Sequence, residues 1–259
     1  VTGVRTCALP ISSLEPVDLN PPVEGTPRVA AVTALVVPPV ALGACGPNGG
    51  GEDIEVHPFD CQVLLIKRAQ GGTHGGQLAL PGGKMEPGET PEQTAMRELH
   101  EELGIDVGDP LHRIVVVGSL DPAYIPASNF LIHVVVAVAP NTPTLHPDPA
   151  EVAGVVGAEL GIFDPRLPVH DVDGEQSGVP LRYGAFVVPG ELRVWGLTAR
   201  LLCELAGRVA EAHGETIQRC GAAAGAQRDE QVLLLNNRHG ACLGCLMLEP
   251  LRLRRHQGR

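Results

Sequence analysis

Apolar and polar positions alternate between two periods along the chain, and that pattern divides it into elements. A dense run of Val, Ala and Leu over Arg28–Val37 predicts a buried strand, and shorter runs at 62–67, 114–117 and Phe130–Val138 predict three more. Helical spacing governs two other stretches. In Pro91–Leu103, Ala95, Met96, Leu99 and Leu103 form one apolar stripe, and both ends carry stop signals. Thr90 suits an N-cap, with Pro91 at the first helical position and Gln93 closing a capping box, while Gly104 supplies a left-handed terminus. A second, longer helix is expected over 194–212, and a short helical turn over 149–156. Gly-rich loops fall at 43–51 and 70–76, and 78–80 leads into the turn Pro81-Gly82-Gly83. Strands and helices are therefore interleaved, as in an α/β fold.

Length and composition narrow this to one main domain. At 259 residues, 44% hydrophobic and only 3% aromatic, the chain has enough Val, Leu, Ala and Ile for one sizeable core. A net charge of −11 argues against nucleic acid as a partner, because counterion release needs clustered Lys and Arg. An anionic substrate would therefore need a cation. No run reaches the length of a membrane span, and the seven cysteines form no repeating framework, so no membrane partner and a cytoplasmic location are expected. Cys242 and Cys245 near His239 make a single CxxC, short of the four ligands of a structural zinc site.

The ends read differently from the middle. Residues 1–11, VTGVRTCALPI, resemble a translated sequencing adapter, and 12–27 read as an extended, disordered lead-in. The expected domain is 28–212. Beyond it, 213–259 carries an Ala/Gly stretch, a short apolar run and a basic end; it is left unassigned, as an added element or as a tail altered by a frame error.

Chemistry concentrates on the first helix. Glu98, Glu101 and Glu102 stand at i, i+3 and i+4, so their carboxylates share one face beside the apolar stripe. Like charges at this spacing repel by a few tenths of a kcal/mol per pair, about what a solvated face tolerates, and a divalent cation would remove the penalty. Hard oxygen donors suit Mg²⁺, which is held by one or two carboxylates and keeps several waters.

The surrounding residues decide between a solvated face and a metal site. Gly83, five residues, Glu89, seven residues, then Arg97-Glu98-Leu99-His100-Glu101-Glu102-Leu103-Gly104-Ile105 fill every fixed position of the Nudix box, so the chain resembles the Nudix hydrolase family. That resemblance implies an α/β/α sandwich with a mixed β-sheet and a Mg²⁺-dependent pyrophosphohydrolase, with Mn²⁺ as a substitute metal. It implies Glu101 and Glu102 as metal ligands, Glu98 as a ligand or as the base acting on water, and the Gly82 carbonyl as a further metal contact. Arg97 and Glu89 correspond to the salt bridge that orients the helix in this family.

Upstream, Leu64-Leu65-Ile66-Lys67-Arg68-Ala69 and 73–83 are similar to the extra motif of the coenzyme A pyrophosphatase branch. Arg68, His74, Gly76 and Gln77 have counterparts there and are the expected substrate contacts. Ile66 stands where that motif has Thr, Leu80 where it has Phe, a second Arg is missing, and the spacer is one residue short. Ser128-Asn129-Phe130, Pro149-Ala150-Glu151-Val152 and the stretch from Val194 to Arg200 extend the resemblance, with Trp195 and Arg200 read as holding the last helix to the sheet and Glu151 as a metal or water contact or a structural acid. The expected substrate is coenzyme A or an acyl derivative. The alternatives are ADP-ribose, a dinucleotide or an oxidised nucleoside triphosphate within the enzymes, and a non-catalytic Nudix ligand sensor outside them. A small-molecule nucleotide is the expected partner, and a homodimer is left open.

Overall fold

The computed structural model describes residues 4–6, 25–39, 56–71, 74–109, 112–176 and 179–213. The Gly-rich loop at 43–51 and the tail beyond 213, with its CxxC, lie outside the described residues. In chain order the elements are β1 (Val4–Thr6), β2 (Arg28–Val37), β3 (Gln62–Arg68), β4 (Leu78–Ala79), β5 (Gly82–Lys84), α1 (Pro91–Leu103), β6 (Val115–Ile125), β7 (Phe130–Val138), β8 (Val152–Glu159), β9 (Pro168–Gln176), β10 (Val179–Val188), β11 (Leu192–Trp195) and α2 (Gly196–Ala212).

Seven of the strands form one mixed sheet. Its main path runs β4-β3-β2-β7-β6, with β5 paired to β2 and β8 to β3; β2 and β7 are parallel and the other pairs antiparallel. Side-chain alternation feeds two cores from the same strands. Leu35, Val37, Leu64 and Ile66 face α1, where they meet Leu99, Leu103 and Ile105. Ala34, Val36, Val63 and Leu65 face the other way, onto Leu202 and Leu205 of α2 and Phe186 and Val194 of a second sheet. That second sheet, β1-β9-β10-β11, leans its inner face on the same core. The result is the α/β/α sandwich with a mixed sheet that the motif implies.

Several boundaries differ from the expected ones. β6 runs to Ile125 rather than stopping near residue 117, because shifts of register between Val116 and Gly118 and between Leu120 and Ala123 take Asp121 and Pro122 out of the ladder. An edge strand with a bulge tolerates such a proline. The helical turn expected over 149–156 is instead a turn closed onto Asp148, followed by β8. Residues 192–195 form β11, and α2 starts only at Gly196, whose φ of 61° makes the corner between strand and helix. β1, within the adapter-like segment, pairs with the outer edge of β9. Among the described residues no helix is long and apolar enough to cross a membrane.

Cys61 offers a direct check on the packing. It is fully buried, and burial, with Asp60 beside it, pushes its thiol up to about 12. Iodoacetamide at mildly alkaline pH is expected to spare Cys61 in the native protein and to label it in urea, as read by peptide mass mapping. Native labelling would contradict the core as described.

Candidate functional site

The acidic helix is fixed at both ends before any ligand is considered. Thr90 accepts from the Gln93 N–H at 3.2 Å, and Gln93 accepts from the Thr90 N–H at 2.8 Å, so the expected capping box is complete. Such a cap stabilises by about 1 kcal/mol. At the other end Gly104 is left-handed, with φ of 64°. The last carbonyls are taken by a segment far along the chain: His146 N–H donates to Leu103 O and Asp148 N–H to Glu102 O. Thr33 in β2 reaches the Ala95 carbonyl from below.

Two of the three glutamates are buried, Glu98 at 8% exposure and Glu102 at 2%, while the Glu101 side chain is about half exposed at 53%. Glu102 Oε2 accepts the Gly82 N–H at 2.8 Å, tying the helix to the turn that precedes it. Gly82 has no room for a side chain, because a Cβ would strike the backbone of Ala31 and Val32 in β2. At Gly83 a Cβ would strike the Glu98 carboxylate. The glycines of the turn are thus the condition for laying two buried carboxylates against the backbone.

Arg97 is the hub of the acids. Its Nη1 donates to Glu98 Oε1 at 2.8 Å and Glu101 Oε2 at 2.6 Å, its Nε to Glu89 Oε1 at 2.8 Å, and its Nη2 to Lys84 O at 3.1 Å. Glu89 also takes the Thr94 hydroxyl and the Glu86 N–H. The Arg97 hydrogen bond, followed by those of Thr94 and Glu86, holds Glu89 down at about 2, against an ordinary value of 4.5. A depressed carboxylate stabilises in full above 4.5, and the contribution fades as pH falls through about 2. Glu89→Gln is therefore expected to lose less of its melting temperature than wild type between these limits. Parallel acid-denaturation curves would contradict that.

Burial has the opposite effect on the buried pair. It raises Glu98 despite Arg97, with Glu101 and Glu151 adding like charge. It also pushes Glu102 up to about 7, against the Gly82 N–H and the attraction of Arg68, and with Glu98 and Glu151 as repelling neighbours. Arg68 and Glu151 therefore stand within electrostatic reach of the helix. Glu151 is carried there by backbone bonds: its carbonyl accepts the Ala69 N–H at 2.7 Å, just after Asp148 closes onto the α1 terminus.

The loop at 68–77 is pinned by Arg68 N–H to Gln77 O and Gly76 N–H to Arg68 O, with Gly76 at φ of 75°. His74 Nδ1 lies 3.2 Å from Gln77 Oε1, and both it and Arg68 are exposed. Arg68, Gly76, Gln77 and His74 thus form one rim next to β4. The capping segment 146–152, the Thr94 contact and the Glu102–Gly82 tie carried no sequence signal, since each joins residues by tertiary register alone.

Among the described residues no three His, Cys, Asp or Glu side chains form a group that could hold a metal ion. Arg97 draws Glu98 and Glu101 to itself, and Glu102 is turned to Gly82. The donor set nevertheless fits a hard divalent cation. Two buried carboxylates raised by desolvation and like charge gain from a cation, and Mg²⁺ needs only one or two direct carboxylates.

Comparison with known proteins agrees with this reading of fold and box. The NUDIX domain profile matches residues 54–174. The uncharacterized Nudix hydrolase NudL of Photorhabdus laumondii is 32% identical over 149 residues, which is 57% of this chain and 76% of the relative. Its counterpart in Yersinia enterocolitica is 33% identical over 151 residues, 57% of this chain and 73% of that protein. The crystal structure of a Nudix hydrolase from M. smegmatis, RenU, aligns with 28% identity and a TM-score of 0.35 over 51% of this chain and 71% of its own. The chain belongs to the Nudix hydrolase family. It is a pyrophosphohydrolase acting on a phosphoanhydride bond of a nucleotide-derived substrate, in a family that generally requires a divalent metal.

Proposed function

We propose that the chain hydrolyses the diphosphate of coenzyme A or an acyl derivative, giving 3',5'-ADP and a phosphopantetheine, with Mg²⁺ as the cation and Mn²⁺ able to replace it. The buried Glu98 and Glu102 beside the Gly82–Gly83 turn carry the reaction class. The stretch from Leu64 to Gly83, with its likeness to the coenzyme A pyrophosphatase motif, supports the substrate.

Glu98, Glu101, Glu102 and the Gly82 carbonyl are the residues that would hold the metal. Bound there, a divalent cation supplies charge neutralisation on the diphosphate and a more acidic water. Glu98 is placed to accept the proton of the attacking water. A new bond forms from water oxygen to phosphorus, the bridging P–O bond breaks, and its electron pair leaves with the other phosphate. Arg97 and Glu89 are positioning residues, since they reach the reacting groups only through Glu98 and Glu101. Arg68, exposed at the end of β3, is suited to a bidentate contact with a phosphate, and His74, Gly76 and Gln77 shape the rim beside it. No covalent enzyme intermediate is required.

Ile66, Leu80 and the missing second Arg favour a second reading, in which ADP-ribose or a dinucleotide is the substrate. A panel of coenzyme A, ADP-ribose, NADH, a diadenosine polyphosphate and 8-oxo-dGTP with Mg²⁺ separates the two. Coenzyme A is expected to be cleaved fastest; coenzyme A left intact while another compound is cleaved rejects the preference.

A further inference from the structure

The chain has few aromatic residues, 3% in all, and one tryptophan. Phe163 and Phe186 pack edge to face in the core, and Phe59 lies beside His57. Trp195 and Tyr183 are spent differently. Their rings stand 4.7 Å apart with 36° between their planes, and both are only half buried.

Register shows which way they face. Trp195 pairs with Ala185, and Tyr183 lies two residues from Ala185 on the same side of β10. Phe186 and Val194, one step along, face the core. The aromatic pair therefore lies on the outer face of the second sheet, where it covers the small Ala185 and leaves ring surface open.

The direction of α2 places this pair at the active end of the molecule. His213, just past the C-terminus of α2, has its ring 5.9 Å from that of His57, which precedes the start of β3. A helix of 17 residues, at about 1.5 Å per residue, is roughly 25 Å long, so its N-terminus lies at the other end of β3. That end carries Arg68, next to Ala69, which is bonded to Glu151. Trp195 ends β11, and β11 lies against β4, three residues ahead of Gly82.

We propose that Tyr183 and Trp195 form the stacking platform for the nucleobase of the substrate, which makes a purine nucleoside diphosphate derivative the class accepted. This rests on the reading of the site as a nucleoside diphosphate hydrolase. A base offers a flat π face to an aromatic ring at little cost in selectivity, and a two-ring purine uses the combined indole and phenol surface more fully than a pyrimidine does. The platform accounts for the outward placement of the only tryptophan on the rim next to β4.

That tryptophan also reports on the platform. With the full chain, excitation at the red edge of indole absorption and no added metal, ADP is expected to quench the fluorescence saturably, UDP more weakly, and ribose 5-phosphate not at all. Equal effects of all three, or none from ADP, would overturn the platform. In parallel, Tyr183→Leu and Trp195→Leu should raise KM for ADP-ribose hydrolysis with Mg²⁺ by roughly tenfold or more while leaving kcat near wild type. If Trp195→Leu loses its circular dichroism, Tyr183→Leu alone carries the kinetic arm; an unchanged KM in a folded Tyr183→Leu rejects the proposal. Hydrolysis by wild type without ADP quenching removes the platform and leaves the enzyme reading intact. ADP quenching without hydrolysis of any diphosphate supports the platform and removes the enzyme reading.

Discussion

Glu102→Gln is expected to keep its fold and lose turnover by a factor of about 10²–10⁴, the scale of several kcal/mol of lost cation-dependent charge stabilisation. The amide oxygen of Gln can still accept the Gly82 N–H, so the tie between turn and helix survives. What disappears is a carboxylate at 2% exposure, pushed up to about 7 by burial and unable to offer a full charge to a cation once replaced. The metal-free variant should melt no lower than wild type, because a buried charge has been removed without removing its partner bond. Added Mg²⁺ should raise the melting temperature of wild type more than that of the variant. A Glu102→Gln protein with wild-type turnover would contradict the placement of the site on this helix.

The largest effect on stability is expected from Leu99→Ala. Leu99 has no exposed surface, adjoins Glu98 in sequence and belongs to the core between α1 and the mixed sheet, with Leu35, Val37 and Ile66. Truncation there should cost about 2–5 kcal/mol, which for a domain of this size lowers the melting temperature by roughly 5–15 °C. Turnover per folded molecule should fall much less than in Glu102→Gln, because the charged face of the helix is left in place. A thermal scan alongside activity at low temperature separates the two effects. A loss below about 1 kcal/mol would mean that α1 is not seated on the sheet as described.

Local signals made the acidic helix legible in the sequence. Thr90, Pro91, Gln93 and Gly104 each specify a backbone state by themselves, and Pro91–Leu103 is found where they place it. The same holds for Phe130–Val138, an apolar run long enough to be a buried strand. Elements that depend on partners were harder to read. Asp121 and Pro122 look like the end of a strand, yet a bulge on the sheet edge lets β6 continue past them. The apolar stretch after Glu151 has no period that separates strand from helix, and only its pairing with β3 makes it β8. The β9–β10 hairpin mixes charge and small residues, so its strand character comes from mutual pairing and from β11.

At the site the box named the glutamates, but not their inequality. Sequence places Glu98, Glu101 and Glu102 together on one helical face. Burial then divides them: two lie under the glycine turn, and Glu101 remains half exposed on Arg97. That division comes from the register of β5 on β2, which brings Gly82 opposite Val32 and the turn over the helix. Arg68 and Glu151 are separated from the helix by long stretches of chain, and only β3 and the turn at Asp148 bring their charges to Glu102.

The central claim is that water attacks phosphorus in the diphosphate of a nucleotide derivative with this helix supplying the acids. Hydrolysis of coenzyme A with Mg²⁺ in oxygen-18 water, followed by phosphorus NMR and mass spectrometry, tests it most directly. The expected result is two phosphomonoester products, with the label on the phosphate of one of them, no inorganic phosphate released, and no reaction in Glu102→Gln. Failure to cleave any diphosphate on the panel, release of inorganic phosphate from the ester position, or label on carbon-bound oxygen would contradict it.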